Sequence, residues 1–347
     1  MASAHKFTVF IAGASGETGK SIVKHLLLQP QNFDVVALAR PESASNKFYT
    51  ALSEQGVKVV PVNVRDVDAL VAIISGGSDA PASSAIVISC MTLTELPGEL
   101  ALVEASIRAR VGRHVPSFFA TVCPPRGVLD VRTAKEDVLD VIKRAYLPFT
   151  AIDIGWWAQW CLPRLPSGKL DDAIAFPVRE IVGKGDVPCA ITDVTDVGAY
   201  VVRIISDPRT LNRLVMAYGD VRTQTEVWDM FERLSGEKIP RPTISTQEVI
   251  DSIAKNRELF AKDPTNYQPL VDKGMAEYKY TQAVRGDNTP EHAKYLGYLD
   301  ATELYPDVKI KTIEDYAREV LSGKSLGVIY EGKDDHPLKF MSKPDYA

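Results

Sequence analysis

Apolar and polar positions along the first half of the chain predict short buried strands separated by amphipathic helices. Continuous apolar runs at Phe7–Ala12, Asp34–Ala39, Val57–Val62, Ala85–Cys90, Ser117–Ala120 and Leu147–Ile154 have the length and composition of strands covered on both faces. Between them, Lys20–Leu27, Val64–Leu70, Leu100–Ile107 and Thr133–Ala145 read as helices, with Val138, Val141, Ile142 and Ala145 on one face of the last. Gly76–Ser84 is a loop by its turn residues. Beyond Gly155 the alternation stops, and Pro- and Gly-rich connections lead to a strand near Pro188–Thr192 and to helices from Asp196 and Thr223.

This β-α alternation predicts an α/β protein, a Rossmann-type doubly wound parallel sheet with a smaller, interleaved C-terminal substrate-binding portion. The expected division is 1–155 for the cofactor-binding domain, 156–322 for the mainly substrate-binding portion and 323–347 for a polar tail. Ligands of such a sheet lie beyond the carboxyl ends of its strands. Attention therefore falls on Cys90–Thr94 and Thr121–Gly127.

The first strand runs into Gly13-Ala14-Ser15-Gly16-Glu17-Thr18-Gly19 and then into a helix. Glycine admits positive φ and, lacking Cβ, lets a phosphate approach the N–H groups at the positive end of that helix. Gly13, Ser15, Gly16, Thr18 and Gly19 are thus expected to hold a dinucleotide, with Cys90 and Thr121 at the ends of later strands completing the cofactor site. At the end of the second strand, where an NAD site carries an acid for the ribose hydroxyls, the chain has Arg40, followed by Ser43, Ser45 and Lys47. Arg40 and Lys47 suit a 2′-phosphate, which favours NADP(H); the other reading is a solvated loop.

Composition narrows the partners. A net charge of −5 with interspersed signs gives no basic face for nucleic acid or an anionic membrane, so a small molecule is the expected substrate, with a homodimer as a further expected partner. No apolar run is long enough to cross a bilayer and no leader precedes the first strand, hence an expected cytoplasmic location. Cys90, Cys123, Cys161 and Cys189 are far apart and no histidine stands at ligand spacing, so free thiols and no metal are expected.

Three further stretches carry a resemblance to the NmrA-like atypical short-chain dehydrogenases, and within them to the isoflavone reductase and phenylcoumaran benzylic ether reductase branch. Lys135 to Thr150, closing on Leu147-Pro148-Phe149-Thr150, resembles the family segment that begins with lysine and ends in Pro-Tyr-Thr. Asp207-Pro208-Arg209-Thr210-Leu211-Asn212 is similar to its D-P-R-T-L-N signature, and Leu299–Lys309 to its C-terminal L-Y-P-D-x-K segment. The resemblance implies that Lys135 is the catalytic lysine beside the nicotinamide of NADPH. Burial lowers a lysine pKa toward that use, and a place at the opening of a helix would lower it further.

The chain also departs from the pattern. Ala120–Gly127 is read as replacing P-S-E-F-G after the fifth strand, and Gly155-Trp156-Trp157 replaces N-C-F after the sixth. Trp156, Trp157 and Trp160 either floor a flat aromatic pocket or pack between the two portions. Tyr305-Pro306-Asp307-Val308-Lys309 has the Tyr-x-x-x-Lys spacing, but its proline opposes the helix that spacing needs, so a structural role is expected. Asp193 and Asp196 read as a strand end and a helix cap. The leading expectation is an NADPH-dependent reductase of a small aromatic or conjugated secondary metabolite with Lys135 as general acid/base. The alternatives are a non-catalytic NADP(H) sensor of the NmrA type and a non-redox isomerase or cyclase.

Overall fold

The computed structural model describes residues 6–324 except 172, 175–177 and 179. Strand and helix alternate through β1 (Phe7–Ala12), α1 (Glu17–Leu27), β2 (Phe33–Ala39), α2 (Lys47–Glu54), β3 (Lys58–Pro61) and α3 (Val67–Ser75). They continue through β4 (Ala85–Ser89), α4 (Leu96–Ala109), β5 (Arg113–Val115), α5 (Asp130–Arg144) and β6 (Thr150–Asp153). The first five strands form a parallel sheet in the order β3-β2-β1-β4-β5, and a bridge between His114 and Phe149 carries the order on to β6. The order reverses between β1 and β4, which opens a crevice at their carboxyl ends. β1 is central because it is covered on both faces: Val9 and Ile11 belong to one apolar core, Phe10 and Ala12 to the other.

The second half contains β7 (Trp156–Trp157), β8 (Ile181–Val182), β9 (Cys189–Thr192), α6 (Val197–Ile204), β10 (Arg213–Met216), β11 (Asp220–Arg222) and α7 (Gln224–Ser235). After β12 (Thr243–Ile244) come α8 (Thr246–Lys262), α9 (Gln268–Lys279), α10 (Pro290–Tyr295), β13 (Leu299–Asp300), α11 (Ala301–Leu304) and α12 (Ile313–Leu321). β10 and β13 return to the main sheet, running parallel beside β6 in the order β13-β10-β6. Ser21 of α1 accepts the Gly198 amide of α6 at 2.9 Å, so a helix from the second half closes over the first. The remaining elements surround their own core, which includes Leu162, Trp228, Phe231 and Tyr316.

Two expectations need correction. The fifth strand is Arg113–Val115, not Ser117–Ala120. Pro116 cannot donate to a ladder and Phe119 sits at φ 27°, so the apolar run after it is a buried turn. The segment following β5 is therefore Pro116-Ser117-Phe118-Phe119-Ala120, which keeps the Pro, Ser and Phe of the family's P-S-E-F-G and places Phe118 at the acid. In addition, α5 starts at Asp130, which puts Lys135 in its second turn. The helix-end field falls off within the first turn and adds little to its chemistry. The expected tail lies, from residue 325 on, outside the described residues.

Of the other motifs, Tyr305 and Asp193 take structural roles, whereas Asp196, expected as a helix cap, stands at the N-cap position of α6 without a side-chain cap bond. Tyr305 donates to Asp207 at 2.8 Å and carries the Arg203 guanidinium over its ring at 5.2 Å, joining the D-P-R-T segment to the C-terminal one. Asp193 accepts the Thr195 amide at 2.8 Å, and Asp196 is the N-cap residue of α6. Asp196 also accepts the Lys311 amide at 2.8 Å.

One buried ion pair ties the halves together at α5. Arg132 is 2% exposed and donates to Glu136 at 2.9 Å and to Asp153 of β6 at 2.6 Å; it also donates to the hydroxyl of Tyr298, just ahead of β13. Tyr298 in turn donates to Asp153 at 2.7 Å. Arg132→Met leaves the fully buried Asp153 without its cation, and a loss of about 3–5 kcal/mol is expected as a lower urea midpoint.

Candidate functional site

The β1–α1 turn has the features of a phosphate cradle. Gly13 has φ +79°, and a Cβ there would stand 2.7 Å from the Cys90 carbonyl oxygen; one on Gly19 would stand 2.2 Å from the Gly13 oxygen. The turn is pressed against the end of β4, and side chains are excluded. Gly16 is the N-cap residue of α1 and makes no side-chain cap bond, so the positive end of the helix opens on the turn. Ser15 and Gly16 are half-buried, whereas Thr18 and Gly19 are buried. A pyrophosphate fits this cradle.

Arg40 lies exposed at the end of β2, 3.6 Å from Glu42, and Lys47 is the exposed first residue of α2. Glu95 feels the Arg40 charge and is held at 2.7 Å by Arg65, a cation that sequence reasoning did not single out. The three cations stand near the carboxyl edge of β2 and β3, the place for a 2′-phosphate in this fold.

From this groove a cavity of about 540 Å³ runs across the ends of β4 and β5 to the segments after β6. Thr18, Cys90, Thr121, Lys135, Trp156, Trp157 and Trp160 all line it, which unites the expected catalytic lysine, part of the cofactor set and the three indoles. Gly155, at φ +70° with the Ala190 oxygen 2.6 Å from where its Cβ would be, turns the chain so that Trp156 and Trp157 enter β7. Trp156 and Trp160 meet edge to face at 4.8 Å, and Trp156 meets Tyr278 of α9 at 5.2 Å. The indoles thus line a cavity as well as packing on one another. Thr121 is buried, and its hydroxyl has no hydrogen-bond partner among the described residues.

Lys135 is half-buried and donates to the Ser117 carbonyl. The same Ser117 peptide donates its N–H to Glu99 at 3.1 Å, and Glu99 also accepts from the Ser89 hydroxyl. Burial lowers the Lys135 pKa to about 8; Glu99 and Asp153 oppose the shift and Arg132 assists it. Burial pushes Glu99 upward against its hydrogen bonds from Ser89 and Ser117. Burial also raises the Cys90 thiol, which stays protonated. Sequence reasoning missed Glu99, although it lies on one helical face with Leu96, Leu102 and Val103, an acid in an apolar stripe. It also missed Tyr278, which no local pattern marks.

Among the described residues no cluster of three or more His, Cys, Asp or Glu could hold a metal, and no helix is long and apolar enough to cross a membrane. All four cysteines are free thiols.

Comparison with known proteins gives this geometry a family. The chain is 39% identical over 327 residues to asnovolin J 5',6'-dehydrogenase nvfM of Aspergillus novofumigatus, covering 93% of this chain and 98% of that one. It is 25% identical over 327 residues to phenylcoumaran benzylic ether reductase TP7 of Nicotiana tabacum, covering 90% and 98%. The binary complex of leucoanthocyanidin reductase with NADPH from Vitis vinifera shares the fold at a TM-score of 0.74 and 22% identity, over 91% of this chain and 99% of that one. The sequence model of the NmrA-like family matches residues 5–317, and the chain belongs to that family.

Proposed function

We propose that the chain is an NADP(H)-dependent oxidoreductase that transfers hydride to or from a small aromatic or conjugated, largely apolar molecule, with Lys135 as the general acid/base. The observation that carries this reading is the single cavity in which Lys135, with its lowered pKa, meets the end of the dinucleotide groove and three indoles. The names of the relatives support it: reductases and a dehydrogenase, one neighbour determined with NADPH.

Gly13, Ser15, Gly16, Thr18 and Gly19 hold the pyrophosphate, and Arg40 and Lys47 the 2′-phosphate, with Cys90 and Thr121 along the path to the nicotinamide. When bound, the cofactor supplies or accepts the hydride. Lys135 holds the proton at Nζ. As ammonium it gives that proton to the oxygen or carbon that becomes basic on reduction; as amine it takes one in the reverse direction. A pKa of about 8 leaves both forms populated near neutral pH. The Ser117 carbonyl fixes the amine, and Trp156, Trp157 and Trp160 present flat apolar surface to a conjugated ring while excluding water.

Four outcomes are expected. Lys135→Ala lowers kcat by about 10²–10⁴-fold with NADPH affinity retained in calorimetry. In the oxidative direction, where the neutral amine is the active form, wild-type kcat rises with pH through about 8, and Lys135→Arg removes that rise. Because the Glu99 charge favours the ammonium, Glu99→Gln moves the Lys135 midpoint below about 8, readable in the same pH profile or by NMR of the lysine side chain. Arg40→Asp replaces a phosphate donor by a like charge; NADPH affinity falls about 10–100-fold while NADH affinity holds, measured by titration calorimetry.

A further inference from the structure

A second cavity, of about 720 Å³, lies among the elements after β6 and plays no part in the reading so far. Its walls come from β9, α7, α8, α9 and the π-helical turn Tyr280–Arg285 that continues α9. π-helical turns are rare and recur at functional sites. Lys135 and the glycines of the β1–α1 turn do not line this space, but Trp156, Trp160, Met275 and Tyr278 line both cavities. The two spaces therefore adjoin, and the residues they share are largely aromatic.

The chemistry of the second chamber is that of a neutral site. Ile191, Val227, Trp228, Val249 and Ala276 are buried side chains along it. Two of its charges are paired, Lys279 with Glu180 at 2.9 Å and Arg222 with Asp220 at 3.4 Å, while Asp272 accepts from the neutral Gln268 amide at 2.8 Å. Arg222 and Asp272 are exposed and so belong to its mouth. Away from that mouth an ionic ligand would give up its hydration against buried apolar side chains, whereas a hydrocarbon body suits them.

Size links the chamber to its neighbour. The 540 Å³ cavity also spans Thr18 and Cys90, the end of the dinucleotide groove, so it is shared between cofactor and substrate and the adjoining chamber adds to the space open to the substrate. In the shared wall, the Tyr278 hydroxyl makes no hydrogen bond among the described residues, and burial keeps the phenol un-ionised. Un-ionised, it keeps its proton to donate.

We propose that the 720 Å³ chamber receives the neutral, fused-ring or branched hydrocarbon body of the substrate whose reacting end lies beside Lys135, and that Tyr278 donates to an oxygen where the two parts join. This rests on the reading of the Lys135 cavity as the substrate site, and the experiment separates the two. All four tryptophans, Trp156, Trp157, Trp160 and Trp228, line one cavity or the other, so their emission reports occupancy. The full chain is titrated with progesterone, a neutral fused-ring ketone, and separately with NADPH. Ser252→Phe and Ala283→Phe fill the chamber from two half-buried positions that do not line the Lys135 cavity. Saturable progesterone binding is expected, weakened at least about tenfold by either substitution and about fivefold by Tyr278→Phe, with NADPH affinity unchanged in all three. Absence of progesterone binding to the wild type, or an affinity indifferent to both chamber substitutions, overturns the assignment. Progesterone binding that behaves as expected in a protein that does not bind NADPH leaves the chamber standing and removes the cofactor reading instead.

Discussion

The buried guanidinium of Arg132 sets the geometry on which the site depends. Its contacts reach Glu136 on its own helix, Asp153 of β6 and Tyr298 ahead of β13, and its charge lies over the Phe118 ring at 4.7 Å. Those contacts fix α5 in rotation as well as position. Lys135, three residues further on, lies on nearly the same face of the helix and is delivered to the Ser117 carbonyl. A helix held by apolar contacts alone would tolerate a few degrees of roll, and an amine on a long stem would follow it.

The same arrangement sets the electrostatics. The Arg132 charge lowers the Lys135 pKa, while Glu99 and Asp153 raise it. Desolvation outweighs these pairwise terms and brings the lysine to about 8, yet the acids keep it from falling further. Asp153 is held by Arg132, whereas Glu99 and Lys135 both bond to the Ser117 backbone, one at its N–H and the other at its carbonyl.

Most of the parallel sheet was legible because its strands are buried on both faces, and continuous apolar runs such as Val35–Ala39 have few other uses. The fifth strand was misplaced for a physical reason: Ser117-Phe118-Phe119-Ala120 has strand composition but follows a proline and turns through a positive φ at Phe119. In that turn the Ser117 backbone meets both Lys135 and Glu99, so the misread stretch is one that lines the cavity. The glycine turn and Arg40 were readable because their chemistry is local. That Lys135 lines the cavity was not readable from its own surroundings, since an isolated lysine on a helix carries no mark of what it faces. Tyr278 and the wall it shares with Trp156 come from elements more than a hundred residues apart, and no spacing in the chain records their meeting.

The two ends of the cavity are built by different means. At the dinucleotide end, backbone does the holding: glycines against the Cys90 carbonyl leave no room for variation, because any Cβ on Gly13 or Gly19 would collide with main chain. At the other end, side chains from β7, α9 and the segment after β5 form the wall, and a change of one indole or phenol alters shape without disturbing the sheet. Phe118 illustrates the point. It stands where the family pattern quoted above has an acid, and it offers Arg132 a ring face instead of a carboxylate. The guanidinium then depends on Asp153 and Glu136 for its countercharge, so a substitution at the cavity wall is coupled to the ion pair that positions the lysine.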